Sequence, residues 1–530
     1  MTRAPFAAIH ADGHGAADPA AAPAPTRVAP LKRWLRELPL AHPAGAASRL
    51  LECIDTLNTC RLRPGRRNAL LHRLEATVHR ISGQLREPRS GGAAATARHT
   101  EAVERAAALH ESMARGYRLV HASGGKRLRE RASRRIVHHG GVILEDYHAC
   151  HTAPPPGLWQ LLHRHGLAPG IRRTGTRYRQ LLLVEGCDPW GMARADIREL
   201  YRQTARWAGR VRLRATRPDG GGLAVAPDND AAPFPLAQAT GTAAGTVFVD
   251  TSGVAARLQR EIAACTRRRP WRRRPVSERR RRVLEHAHEQ LAAVAARRYP
   301  RRAASGRVEV VTGLTAAHRM LAGAAETPQH ARFQGRVPRA QAPSTDIWDL
   351  IFPAEANRDS PGRSAEPDPP DQGRAAASVV SWEVADRSPD GYRLREQQAD
   401  SAPGVGEPVL VREVLEDQRL PWELGVVRWV RHHHKGCVDA GVQLIAPEPT
   451  AVQLRAEDDE GRLTGVFRAL HTAAMSRLNV PATLIVPPLA AQQRRRIWLE
   501  TPDGLVPIRP EACMERRPDF ARWSFRYDTQ

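Results

Sequence analysis

The run Trp382-Glu-Val-Ala-Asp386-Arg-Ser388-Pro-Asp390-Gly391 sets a carboxylate, a hydroxyl and a glycine at the spacing D-x-S-x-x-G. Residues 379 to 385 are largely β-branched and apolar, and Ser-Pro-Asp-Gly is turn chemistry, so the trio falls where a strand ends. There Asp386 and Ser388 offer acceptors and a donor to the edge of a ligand, and Gly391 offers a backbone conformation that a side chain forbids. The same residues also suit an ordinary hairpin corner.

The elements that would position this corner follow it. Val409, Val411 and Val414 form the apolar part of one strand. Trp422, Leu424 and Val426 alternate in a second, and Val438, Ala440, Val442 and Leu444 in a third, giving each segment one packed face. The polar stretch from His432 to Gly436 joins the last two as a longer hairpin loop.

Together, D-x-S-x-x-G, Leu424-Gly-Val-Val-Arg-Trp429 and Ala440-Gly-Val-Gln-Leu444 resemble the PilZ domain over about 70 residues. Upstream, Leu38-Pro-Leu40, the helical stretch Leu50 to Asn58, Gly157-Leu-Trp159 and Asp188-Pro189 are similar to a proteobacterial family with a long helical and mixed region before a PilZ-like barrel. The resemblance implies a small antiparallel β-barrel and a ligand, the bacterial second messenger cyclic di-GMP. It further implies an R-x-x-x-R pair on the segment entering the barrel, since a guanidinium fork suits both guanine and phosphate. Arg332 and Arg336 have that spacing, although Asp386 follows Arg336 by 50 positions; Arg358 and Arg363 are nearer but five apart. The implied site is therefore Asp386, Ser388, Gly391, Arg332 and Arg336, with no metal and no cofactor beyond the messenger.

Composition bounds the rest. The chain has 530 residues, 42% hydrophobic, with 42 Pro and 40 Gly, enough for several domains joined by extensive loops. Its net charge of +25 favours anionic partners. Only Lys32, Lys126 and Lys435 are lysines, so 78 of the 81 basic residues are arginine, as a GC-rich genome imposes on any surface. Seven scattered cysteines with no C-x-x-C suit free thiols in a reducing compartment. No apolar run approaches the roughly 20 residues of a membrane span, so a soluble cytoplasmic protein is expected.

Residues 1–30 read as a disordered tail and 31–125 as a helical module with stripes such as Leu70, Leu71, Leu74 and Val78. Residues 126–330 read as a mixed α+β region, with a strand at Arg210 to Thr216, a short buried segment at Leu181 to Val184, and further strands at Val247 to Asp250 and Val308 to Val311. Within it, 266–282 carries ten arginines against one glutamate around Trp271. Residues 331–378 read as a linker or long loop, 379–447 as the PilZ-like barrel and 448–530 as an additional β-unit. The expected class is α+β multidomain, with an N-terminal helical module, a mixed middle and a C-terminal antiparallel barrel.

Nothing makes a catalytic case. There is no P-loop, dinucleotide fingerprint or nucleophile elbow. The Val249-Asp-Thr-Ser-Gly253 run lacks the second copy an aspartic protease needs, and His148-Ala-Cys150-His151 reads as structural. Three readings stay open: a cyclic di-GMP sensor relaying to an unidentified protein partner, an interaction barrel that has lost its ligand, and a nucleic-acid binder acting through 266–282.

Overall fold

The computed structural model describes residues 25–86, 93–168, 175–219, 221–239, 245–266, 278–292, 302–325, 379–397, 403–415, 418–433, 437–457, 463–474, 480–487, 496–501, 504–517 and 519–528. The chain divides into two compact units, 1–297 and 298–530.

Eight helices lead the first unit: α1 (Val28–Arg36), α2 (Pro43–Thr59), α3 (Pro64–Leu85), α4 (Ala93–Ser123), α5 (Lys126–Ala149), α6 (Leu158–Gly166), α7 (Gly175–Gly186) and α8 (Arg194–Trp207). Proline occupies the first helical position of α2 and α3, where its missing N–H costs no bond. Their stripes share one core, from Leu31 and Leu50 through Leu74, Ile136, Leu162 and Leu182 to Trp207. Helix thus continues well past residue 125, and the run Leu181 to Val184 is the buried face of α7. A short apolar run reads alike as strand or buried helix, and tertiary packing decided between them.

Strands begin only at β1 (Arg212–Arg214), followed by β2 (Gly222–Val225), β3 (Phe234–Pro235) and β4 (Val247–Asp250), in the order β1-β4-β2-β3. Next come α9 (Ser252–Thr266) and α10 (Glu278–Ala292). Asp250 accepts the Ser252 N–H at 3.1 Å and Oγ at 2.6 Å, so its run closes a strand and starts a helix.

Between α3, α4 and α5 lies a buried histidine cluster. His110 and His139 meet Nδ1 to Nδ1 at 2.9 Å, and His79 and His138 meet Nε2 to Nε2 at 3.1 Å. Burial first, then neighbouring histidines and arginines, lowers the basicity of His110 and His139 and pushes His138 down to about 4. His165 on α6, buried against His121, Arg164 and Arg118, is pushed down to about 3.

The second unit holds two barrels. Its elements are β5 (Arg302–Ala303), β6 (Arg307–Thr312), α11 (Leu314–Ala325), β7 (Val380–Ser388), β8 (Gly391–Glu396), β9 (Pro408–Leu415), β10 (Gln418–Arg419), β11 (Glu423–His432) and β12 (Val438–Pro447). Antiparallel pairing runs β9-β11-β12-β8-β7, and β6 bridges β7 to β9, closing six strands into a barrel. Closure leaves no long edge to pair elsewhere. The closing strand belongs to the segment 126–330 by sequence order, so the barrel is not confined to 379–447. Its partners lie across residues 313–379, and the sequence pattern carries no sign of that pairing.

Val308, Val310, Trp382, Leu394, Val409, Val427 and Val430 fill this barrel. Val311, Leu410, Leu424 and Val426 instead point outward onto Leu314 and Ala317 of α11 and onto Leu470, Ile485 and Phe520. Gly313, with φ of 89°, turns the chain from β6 into α11, a conformation a side chain resists. β11 therefore packs on both faces, and a register shift between Val427 and Trp429 exchanges them.

The remaining strands are β13 (Thr450–Glu457), β14 (Leu463–Thr472), β15 (Thr483–Val486), β16 (Ile497–Thr501), β17 (Gly504–Arg516) and β18 (Ala521–Tyr527). They form a second closed barrel, β13-β14-β15-β18-β17-β16, around Leu454, Phe467, Leu484, Leu499 and Phe525.

Candidate functional site

The Asp386 corner lies at a hairpin. β7 ends at Ser388, Pro389 and Asp390 make the turn, and β8 starts at Gly391, which pairs with Ser388. Ser388 is buried; its Oγ donates to Asp390 Oδ1 at 2.6 Å and lies 3.3 Å from the Gly391 carbonyl. The Leu444 N–H donates to the Asp390 carbonyl at 2.9 Å and ties the turn to β12.

Gly391 is glycine for a different reason than a turn. Its φ is not among the positive values; instead a Cβ there would stand 2.1 Å from the Val442 carbonyl oxygen. The residue serves close approach between β8 and β12.

Register arranges three rows across the outer face. Ser388, Gly391 and Gln443 form one; Asp386, Arg393, Gly441 and Trp429 form the next; Glu383, Arg395, Asp439 and Arg431 form the third. β5 extends the middle row through Ala303, opposite Asp386, while Arg302 stands opposite Arg387 on the alternate row that holds Tyr392. A Cβ on Gly441 would meet the Trp429 Nε1 at 2.1 Å, so the indole lies directly across that glycine.

Charge holds the rows together. Arg393 Nη2 donates to Asp439 Oδ2 at 2.6 Å and Arg395 Nε to Oδ1 at 2.8 Å, while Arg393 Nη1 stands 3.9 Å from Asp386. Asp439 is 1% exposed. Burial opposes its charge, yet the hydrogen bonds of Arg395 and Arg393 hold its carboxyl at about 2 against the usual 3.8. At the barrel mouth Arg387 pairs with Glu413 at 2.6 Å, and the Tyr392 hydroxyl donates to Glu413 at 2.7 Å.

Of the residues expected at the site, Asp386, Ser388 and Gly391 come together at one corner. Arg332 and Arg336, and the expected linker around them, lie outside the described residues. Sequence reasoning passed over a second candidate at Arg302, which β5 sets opposite Arg387. The spacing R-x-x-x-R occurs in Arg297-Arg298-Tyr-Pro-Arg301-Arg302, directly before the strand that closes the barrel. Recognising Arg307 to Thr312 as the first barrel strand would have exposed that motif.

Elsewhere, Arg267 to Arg274 lie outside the described residues. Arg279 and Arg282 on α10 pair with Asp196, Arg280 with Glu261 and Arg281 with Glu285. His148 is bound by Tyr201 and Glu185 at 2.9 and 2.8 Å. Among the described residues, no set of His, Cys, Asp or Glu side chains converges to hold a metal, and no helix is long and apolar enough to cross a membrane.

A closed six-stranded antiparallel barrel with D-x-S-x-x-G at a hairpin corner defines a PilZ domain, and this chain is a PilZ-domain-containing protein. The family model of the "Cyclic-di-GMP receptor FimW, middle PilZ domain" matches residues 223–450, and that of the "Cyclic-di-GMP receptor FimW, N-terminal domain" matches residues 29–219. A curated relative, the cyclic-di-GMP receptor FimW of Pseudomonas aeruginosa, is 25% identical over 532 residues, covering 88% of this chain and 85% of its own. No solved structure matches.

Proposed function

We propose that this chain is a non-enzymatic receptor for cyclic di-GMP that passes its ligand state to a protein partner. The dinucleotide meets the outer face of the first barrel, with Asp386 and Ser388 toward a guanine edge. Arg302 takes phosphate and guanine contacts in place of Arg332 and Arg336; Arg298, four positions before it in sequence, completes the same spacing and lies outside the described residues.

The observation that carries this reading is the pairing of β5 with β7, which sets Ala303 against Asp386 and brings Arg302, opposite Arg387 at the barrel mouth, within one residue of that row. Trp429 beside Arg393 supplies an aromatic plane on the same row, suited to stacking on a purine. The name of the curated relative supports the ligand class.

A second reading, an interaction barrel without nucleotide, draws on the prior commitment of Arg387, Arg393 and Arg395 to Glu413 and Asp439. Calorimetry on the full chain separates the two. Cyclic di-GMP should bind the wild type. Arg302→Ala and Asp386→Ala should each weaken binding by about 10- to 100-fold, the value of one or two charge-assisted hydrogen bonds. No heat at high micromolar ligand would refute the receptor reading and leave the interaction barrel.

A further inference from the structure

Two β-bulges, one in each barrel of the second unit, aim a pair of opposite charges at one another. In β11 the register passes from Val427 opposite Val442 to Trp429 opposite Gly441, leaving Arg428 as the extra residue. In β17 it shifts between Cys513 and Glu515, leaving Met514 as the extra residue beside Glu515. Bulges re-aim side chains, and here both serve one contact. Arg428 grips the Glu515 carboxylate with two nitrogens, Nη1 to Oε1 and Nη2 to Oε2, the latter at 3.2 Å. Arg517 Nε donates to the same carboxylate at 2.8 Å.

The same guanidinium also contacts the strand beside the corner. Arg428 Nε donates to Gln443 Oε1 at 2.7 Å. Gln443 is exposed and is the register partner of Gly391, and its neighbour Leu444 bonds Asp390. Arg428 on β11 therefore stands two strands from the corner glycine on β8, a backbone spacing of about 10 Å that its side chain bridges as far as Gln443 on the strand between. Arg522, whose Nε donates to Thr483 Oγ1 at 3.1 Å, adds a third guanidinium within electrostatic range of Glu515. One carboxylate thus faces three arginines. Burial works against its charge, yet Arg428 and then Arg517 keep Glu515 more acidic than usual.

We propose that Arg428 and Glu515 form a ligand-sensitive latch between the two barrels: the phosphate or guanine of a nucleotide at the corner competes with Glu515 for Arg428. The inference rests on the receptor reading above and extends it by naming how binding reaches the second barrel. Its basis is exchange of one anionic partner for another on a guanidinium that holds Glu515 and the Gln443 side chain next to the corner glycine's strand. Binding draws Arg428 off β17 and loosens the attachment of the second barrel. A change imposed on the second barrel alters affinity at the first by the same factor.

The test is a double-mutant cycle on the full chain, with cyclic di-GMP as titrant and a thermal melt to verify folding. Glu515→Gln removes the competing charge and should tighten binding by about fivefold or more. Arg428→Gln should weaken binding, and in that background Glu515→Gln should have no further effect. Hydrogen exchange of β17 amides should rise when the wild type is saturated with ligand, and should be high without ligand in Glu515→Gln. Unchanged affinity in Glu515→Gln, with Arg302→Ala still weakening binding, would overturn the latch and leave the receptor reading intact. Failure of the wild type to bind would overturn both.

Discussion

Asp439 offers a direct measure of how much ionic organisation the corner rests on. A buried carboxyl held at about 2 rather than 3.8 is worth about 2 kcal/mol of stability at neutral pH. The sign follows from its direction. The folded value is depressed, so this stability is present above pH 3.8 and is lost as pH falls toward 2. Asp439→Asn removes the charge and leaves Arg393 and Arg395 facing a neutral amide. Because both guanidiniums are partly exposed, with side-chain exposures of 36% and 40%, they recover some hydration. The cost should then be about 2–3 kcal/mol, below that of breaking a fully buried pair. Amide exchange in β8 and β12, followed by mass spectrometry on the full chain, should accelerate by about 30- to 150-fold. The variant should also lose the part of its acid sensitivity between pH 4 and 2 that Asp439 supplies. Replacing all three groups together, Asp439→Leu with Arg393→Met and Arg395→Met, should restore much of the stability. Exchange in Asp439→Asn within twofold of wild type, with an unchanged acid profile, would refute the argument.

Two other expectations concern packing and protons, and they join the nucleotide-binding and latch experiments described above. Gly391→Ala forces a methyl to 2.1 Å from the Val442 carbonyl oxygen, so β8 and β12 must part; the cost is about 3 kcal/mol, seen as a melting temperature lower by about 6–10 °C. An unshifted melt would show that the strands yield without strain. The histidine cluster predicts acid lability in the first unit. His138 and His165 are pushed down to about 4 and about 3, and His110 and His139 are also lowered. Their contribution is complete above pH 6.5 and declines as pH falls through the window below it. Each histidine protonated only in the unfolded state costs about 1.4 kcal/mol per pH unit. Chemical denaturation of α3 to α5 between pH 7 and 5 should show this slope, and His138→Gln should reduce it; a flat profile would contradict the burial argument.

Local chemistry by itself determined the corner and most of the helices. D-x-S-x-x-G at a strand end, the alternation in β9, β11 and β12, and the prolines opening α2 and α3 all act over a few residues, where turn geometry and side-chain period are decisive. Tertiary structure alone decided what closes the barrel. β6 pairs with β7 and β9 across a long intervening stretch, and a six-residue strand carries no mark of its distant partner. The neighbouring pairing of β5 with β7 is likewise non-local, since Arg302 stands 85 positions before Arg387 yet opposite it in register. The reason for Gly391 was equally non-local: the obstacle is the Val442 carbonyl on another strand, not the dihedral angles of the glycine. Residue types announce what chemistry is available, and cross-strand register assigns which of many arginines performs it, because hydrogen-bonded pairing brings together groups that sequence distance keeps apart.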